Sequence, residues 1–188
     1  MSPFRMIFVH GYTSSRTQDW YPAVTQTLKA KQIDFVIPDF PGGSFPHASE
    51  WLALLQQVVS RSKKPIMLVG HSLGTRAILL FLEKYQHSVE SVFLIAPFAN
   101  TVENAHLCED ESYPDFFEHT VDLVTVVPLA KQWHVLHSTD DPSIPYEQGV
   151  ELANDLGAVL HTVAHHGHFT DLSDANVIVT LLQSCLRF

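Results

Sequence analysis

The sequence predicts an α/β fold, a three-layer αβα sandwich built on a mostly parallel sheet of about six strands with helices on both faces. Short apolar runs alternate along the chain with longer amphipathic ones, as expected of βαβ units feeding a parallel sheet. The 188 residues, 46% of them apolar, suit one compact domain over residues 1–188 with a substantial core. The loops that follow three of the predicted strands carry chemically competent side chains, and the carboxyl ends of the strands are where such sheets place their functional loops.

The predicted strands lie near residues 5–9, 33–37, 65–70, 91–96, 132–138 and 158–163. Between the second and third, Trp51, Leu54, Leu55, Val58 and Val59 recur at i, i+3, i+4, i+7 and i+8, one face of a helix that can lie on the sheet. Trp20, Val24, Thr27 and Leu28 repeat the pattern, with Asp19 as the expected cap and Pro22 in the first turn. A helix from Ser72 to Tyr85 is apolar nearly all round and belongs in the middle of the domain. The last helix, about residues 171–186, aligns Val177, Ile178, Leu181, Leu182 and Cys185 on one side. The chain has neither internal repeats nor low-complexity segments.

Gly70-His71-Ser72-Leu73-Gly74 stands between the third strand and its helix. A strand that reverses sharply into a helix leaves no room for side chains near the turn, so glycines two places before and after the central residue relieve the crowding. Ser72 then points outward at the positive end of a helix, where free backbone N–H groups can stabilise a developing oxyanion. A bare G-x-S-x-G occurs by chance in loops; strand before and helix after make it a nucleophile candidate.

A nucleophilic serine needs a base, and the base an orienting acid. The fifth predicted strand runs into Ser138-Thr139-Asp140-Asp141-Pro142, and the sixth into His165-His166-Gly167-His168-Phe169. Asp140 and Asp141 both qualify as the acid, and His165, His166 and His168 as the base, with Gly167 permitting a tight backbone approach at His168. After the first strand comes His10-Gly11-Tyr12-Thr13. In this architecture that loop supplies one oxyanion N–H beside the one from the residue after the nucleophile, so the backbones of Tyr12 and Leu73 are the expected donors.

The order Ser, Asp, His is that of α/β-hydrolases, and the chain resembles the small serine hydrolases grouped with retinoblastoma-binding protein 9, in particular their bacterial branch. The likeness covers essentially the whole chain through His10-Gly11-Tyr12, Asp39-Phe40-Pro41, Gly70-His71-Ser72-Leu73-Gly74, Ser138-Thr139-Asp140-Asp141-Pro142 and Gly167-His168-Phe169. It implies a minimal α/β-hydrolase fold and a triad of Ser72, His168 and Asp141, the acid being the aspartate immediately before Pro142. It also implies that no metal or other cofactor takes part. The expected activity is hydrolysis of small acyl substrates, carboxylesters first and thioesters or amides besides. The alternative is a non-catalytic protein-binding module on the same scaffold, for which the sequence names no protein partner and offers no peptide-binding motif.

Composition narrows the partners further. Eleven basic residues against twenty acidic give a net charge of −9 with no basic stripe, which argues against nucleic acid. No apolar run approaches the roughly 18 residues of a membrane span, and the opening residues lack the pattern of a signal peptide. Two cysteines without C-x-x-C spacing fit a reducing compartment, so a cytoplasmic location is expected. A metal cluster of His165, His166 and His168 is disfavoured, because three histidines within four residues of one loop cannot readily all face a tetrahedral ion. Residues 97–131, rich in acids that include Glu109, Asp110 and Glu111 and carrying Phe98, Phe116 and Phe117, are the candidate for a small cap over the site. His71, Phe98 and Phe169 are the expected substrate contacts.

Overall fold

The computed structural model describes residues 2–103 and 113–186, so Cys108 and the acids Glu109, Asp110 and Glu111 lie outside the described residues. Six strands, β1 (Arg5–Val9), β2 (Asp34–Val36), β3 (Ile66–His71), β4 (Val89–Ile95), β5 (Ala130–Ser138) and β6 (Val159–Val163), form one sheet in the order β2-β1-β3-β4-β5-β6. Every neighbouring pair is parallel. The chain steps from β1 outward to β2, then returns across β1 to β3 and proceeds to β6. Right-handed crossovers in opposite directions must lie on opposite faces of the sheet. Accordingly α1 (Tyr21–Ala30), joining β1 to β2, covers one face together with the final helix α6 (Ala175–Leu186). The other face is covered by α2 (Ala48–Ser60), α3 (Leu73–Tyr85) and α5 (Tyr146–Leu156).

Period-two alternation in the central strands feeds both cores. Ile7, Val9, Leu68, Val92, Leu94 and Val135 face α2, α3 and α5. Met6, Phe8, Met67, Val69, Phe93 and Leu136 face α1 and α6. The reversal between β1 and β3 is the switch point of the sheet, where the carboxyl ends of adjacent strands part and open a crevice. Among the described residues, no helix is long and apolar enough to cross a membrane.

Two local expectations change, and one further helix is present. Asp19 does not cap α1: Trp20 occupies that position without a side-chain cap bond, and Asp19, at φ +50°, accepts a hydrogen bond from the Ser14 hydroxyl. The last helix begins at Ala175, after a short 3-10 turn closed by a reciprocal capping box between Asp171 and Asp174. The helix α5 had no counterpart in the periodicity. Its buried face is Gly149, Leu152, Ala153 and Leu156, too small and sparse to stand out as an apolar stripe.

Within 97–131, the described residues 113–131 hold a 3-10 turn (Pro114–Phe117) and the four-residue helix α4 (Leu123–Val126). Arg76, 1% exposed on α3, fastens this segment. Its Nε donates to the Phe116 carbonyl at 2.8 Å, one terminal nitrogen to Asn100 Oδ1 at 2.8 Å and the other to the His119 carbonyl, while the guanidinium lies 5.2 Å from the centre of the Phe117 ring. Burial lowers its pKa to about 10, which leaves it charged at neutral pH. Replacing it with methionine keeps the packing but leaves the buried Phe116 carbonyl without this donor and takes one bond each from the His119 carbonyl and from Asn100 Oδ1, which keeps the Val121 N–H, so Arg76→Met is expected to cost about 2 kcal/mol or more in urea denaturation. A loss under about 1 kcal/mol would contradict this anchoring role.

Candidate active site

The β3–α3 turn is shaped by two close approaches. A methyl group on Gly74 would stand 2.2 Å from the Val9 carbonyl oxygen, and one on Gly70 would stand 2.9 Å from the Gly74 carbonyl oxygen. Only hydrogen fits at either position. The helix start can therefore press against β1, and Ser72 is driven to φ +51°, ψ −122°, a conformation that costs a non-glycine residue about 1–3 kcal/mol. Its N–H donates to the Ile95 carbonyl at 2.9 Å, and its carbonyl accepts from both the N–H and the hydroxyl of Thr75.

Held this way, Ser72 Oγ is 2.9 Å from His168 Nε2, and His168 Nδ1 is 2.8 Å from Asp141 Oδ2. A carboxylate beside Nδ1 requires the proton on that nitrogen, leaving the Nε2 lone pair to accept from the serine hydroxyl. The Asp141 carboxylate is shielded from solvent, with Oδ1 accepting from the N–H groups of Ser143 at 2.8 Å and Ile144 at 3.0 Å. Burial by itself would raise its pKa. Hydrogen bonds from His137 and His168 outweigh that and hold the carboxyl well below the usual carboxylate range.

Two further histidines, His71, expected from the sequence as a substrate contact, and His137, for which the sequence carries no signal, are part of this arrangement. His137, fully buried on β5, has its Nε2 3.1 Å from the Ile144 carbonyl oxygen and 3.4 Å from Asp141 Oδ2, so the same N–H supports the acid and its loop. The ring has space because α5 offers Gly149: a methyl there would stand 2.0 Å from His137 Nδ1. His71 precedes the serine, is 2% exposed, and donates from Nε2 to the His168 carbonyl at 2.8 Å. Burial, reinforced by the charge His168 acquires on protonation, lowers its pKa to about 3, so it stays a neutral donor. His10 is held likewise, receiving the Phe40 N–H at Nε2 and donating from Nδ1 to the Gly11 carbonyl.

The other candidates take supporting positions. Asp140 Oδ1 accepts from the Ser138 hydroxyl at 2.5 Å and the His165 N–H at 2.9 Å, tying the loop after β5 to the loop after β6. His166 faces Asp174 at 2.7 Å, so His166 and His168 serve different carboxylates. Tyr12 borders the crevice, and its hydroxyl donates to the Ser44 carbonyl. Leu73 buries its side chain in the core, so only its backbone is available at the start of α3.

The crevice over Ser72 has a volume of about 180 Å³. Its walls include His71, His168, Thr13, Gln18, Asp19 and Thr170. Phe98 and Phe169 do not border it. Phe98 is packed edge-on against Phe117, and Phe169 is fully buried under His166, so these aromatic rings are structural where substrate contacts were expected.

A switch-point crevice holding a hydroxyl, an imidazole and a carboxylate in one hydrogen-bonded line on a six-stranded parallel sheet defines the α/β-hydrolase class. Residues 6–176 match the family described as Serine hydrolase, and the chain belongs to that family. It is 29% identical to YdeN of Bacillus subtilis over 169 residues, covering 89% of this chain and 86% of that protein. It is 23% identical to the serine hydrolase RBBP9 of Rattus norvegicus over 188 residues, covering 98% and 97% of the two chains. The crystal structure of the Bacillus subtilis ydeN gene product superimposes with a TM-score of 0.80 at 28% identity, covering 95% of this chain and 98% of that one. Est1E from Butyrivibrio proteoclasticus shares the fold, with a TM-score of 0.79 at 19% identity over 98% of this chain and 87% of that one. The protein is thus a hydrolase of the α/β-hydrolase superfamily.

The neutral, buried state of His71 has a consequence for acid stability. Unfolded chains take up a proton at this residue below about pH 6.5, whereas the folded chain resists until about pH 3. The folded state therefore holds fewer protons in that window, and stability, complete above it, falls as pH drops through it by about 1.4 kcal/mol per pH unit for this group. His71→Gln, measured by urea denaturation from pH 7 down to about pH 4, is expected to show a slope shallower by about that amount. Parallel slopes would mean that His71 is not the proton-excluding group.

Proposed function

We propose that this chain hydrolyses small, polar carboxylic esters, with thioesters and amides as slower substrates, through Ser72, His168 and Asp141. The observation that carries the reading is the unbroken line from Ser72 Oγ to His168 Nε2 and from His168 Nδ1 to Asp141, at 2.9 and 2.8 Å. As Ser72 attacks the acyl carbonyl, His168 Nε2 takes the hydroxyl proton, and the ionised Asp141 stabilises the imidazolium. The N–H groups of Tyr12 and Leu73 receive the oxyanion, a contribution of about 2.7–4 kcal/mol per donor in comparable sites. Collapse of the tetrahedral intermediate expels the alcohol, which leaves with the proton from His168. A water molecule, deprotonated by the same nitrogen, then releases the acid and restores Ser72.

Small substrates follow from the crevice. Its volume of about 180 Å³ is below the roughly 300 Å³ at which drug-sized ligand pockets begin, and Thr13, Gln18, Asp19 and Thr170 give its rim a polar character. The described part of residues 97–131 does not line the crevice: Arg76 anchors it, and Tyr113 packs against the rim residue Tyr12 with ring centres 4.9 Å apart.

Ser72→Ala is expected to lower turnover of p-nitrophenyl acetate by about 10⁴-fold or more and to abolish labelling by a fluorophosphonate probe, with the circular dichroism spectrum unchanged. Across a series of p-nitrophenyl esters, the wild-type rate should fall steeply beyond short acyl chains. Undiminished labelling of the alanine variant would remove Ser72 from the chemistry. Failure of the wild-type chain to react with either reagent would favour the binding-module reading.

A further inference from the structure

Remote from the crevice, β5, β6 and α6 bring together His134, His161 and Cys185, one donor atom from each lying within 4.8 Å of the others. Strand register explains the pair: His161 stands opposite Leu136, so His134, two residues earlier, shares its face of the sheet as a diagonal neighbour. That face packs against α6, whose last turn supplies Cys185. His134 is stacked on Phe93, with ring centres 4.6 Å apart and planes 8° from parallel, which fixes the direction of its nitrogens.

We propose that these three residues form a zinc site, with ligands His134 Nδ1, His161 Nε2 and Cys185 Sγ. His134 Nδ1 lies 3.2 Å from His161 Nε2 and 3.7 Å from Cys185 Sγ. For a tetrahedral Zn²⁺ bonded at about 2.0–2.1 Å to nitrogen and about 2.3 Å to sulfur, the edges of the coordination sphere are about 3.3 Å between nitrogens and about 3.6 Å from nitrogen to sulfur. A hydrogen bond accounts for one of the two contacts and not for both. An imidazole nitrogen carries either a single hydrogen or a single lone pair, whereas His134 Nδ1 faces two partners at once. A cation among the three satisfies them together. Two imidazoles and a thiolate select zinc over calcium or magnesium, which require oxygen ligands.

The protons balance simply. Cys185 releases its thiol proton to solvent as the Zn–S bond forms. The hydrogen shared by the two facing nitrogens leaves as they bind the metal, and the ring that gave it up takes a proton on its other nitrogen. His161 and Cys185 are only half-buried, so the fourth position opens to water. At about 3.3 Å per residue, His134 lies about 13 Å before Ser138 along β5, so the ion would act structurally, clamping the end of α6 onto the edge strand β6.

The test is a titration of the reduced, chelator-treated full chain with Co²⁺ and then Zn²⁺. One Co²⁺ per chain is expected to bind with tetrahedral ligand-field bands and a thiolate-to-cobalt charge-transfer band, and Zn²⁺ should displace it and raise the melting temperature. Cys185→Ser should abolish the charge-transfer band and weaken Zn²⁺ binding by about 100-fold, with His161→Ala weakening it comparably and both variants keeping wild-type circular dichroism and esterase activity. Absence of saturable one-to-one binding would overturn the proposal. So would an unchanged Zn²⁺ affinity in Cys185→Ser, or a charge-transfer band that is lost in Cys108→Ser instead.

Discussion

The approach of α3 to β1 is the constraint from which the rest of the site follows. With only hydrogen at Gly74, the first turn of the helix sits against the carbonyls of Val9 and His10, and a methyl group there would fall 2.2 and 2.6 Å from those oxygens. The chain can complete the turn only by placing Ser72 in a region of backbone space that side chains avoid. That strain is confined by hydrogen bonds from Ser72 to Ile95 and from Thr75 back to Ser72, and it projects Oγ above the sheet at the switch point. The same closeness brings the loop after β1 beside the serine, where a methyl group on Gly11 would stand 3.2 Å from both His71 Nδ1 and Ser72 Cβ.

Around that fixed point the loops lock one another before any substrate arrives. Asp140 bonds the His165 backbone, the Ser138 hydroxyl accepts from the His166 N–H, and His71 holds the His168 carbonyl. Residues on β3 and at the end of β5 therefore grip the base loop from two sides. Buried histidines do much of this work. His10 and His71 have pKa values pushed down chiefly by burial, and each presents one ring nitrogen as a neutral hydrogen-bond donor in a crowded interior. A lysine or arginine in their place would bring a charge that burial penalises.

Much of the architecture is written in local pattern. Alternating apolar strands, the helical spacing of Trp51 to Val59 and the glycine-flanked serine each depend on near neighbours, so six strands and the elbow are readable from the chain. What eluded reading depends on residues distant in sequence. Nothing near Arg76 announces that its partners are Asn100, Phe116 and His119, nor does His137 signal that Gly149 makes room for its ring. Phe98 and Phe169 look like pocket residues by position, yet the backbone turns both inward, Phe169 through a φ of +53°. The His134, His161 and Cys185 cluster has no motif, since its members come from two strands and a helix.

Backbone strain at residue 72 positions the serine, and the comparison of Ser72→Gly with Ser72→Ala in urea denaturation tests this most directly. Both variants lose the hydroxyl and its hydrogen bond to His168, so their difference isolates the backbone. Glycine is expected to be the more stable by about 1 kcal/mol, because relief of the positive φ exceeds its larger entropy in the unfolded chain. Equal stability, or an advantage for alanine, would mean that the turn is unstrained and that the account of how it aims Ser72 is wrong.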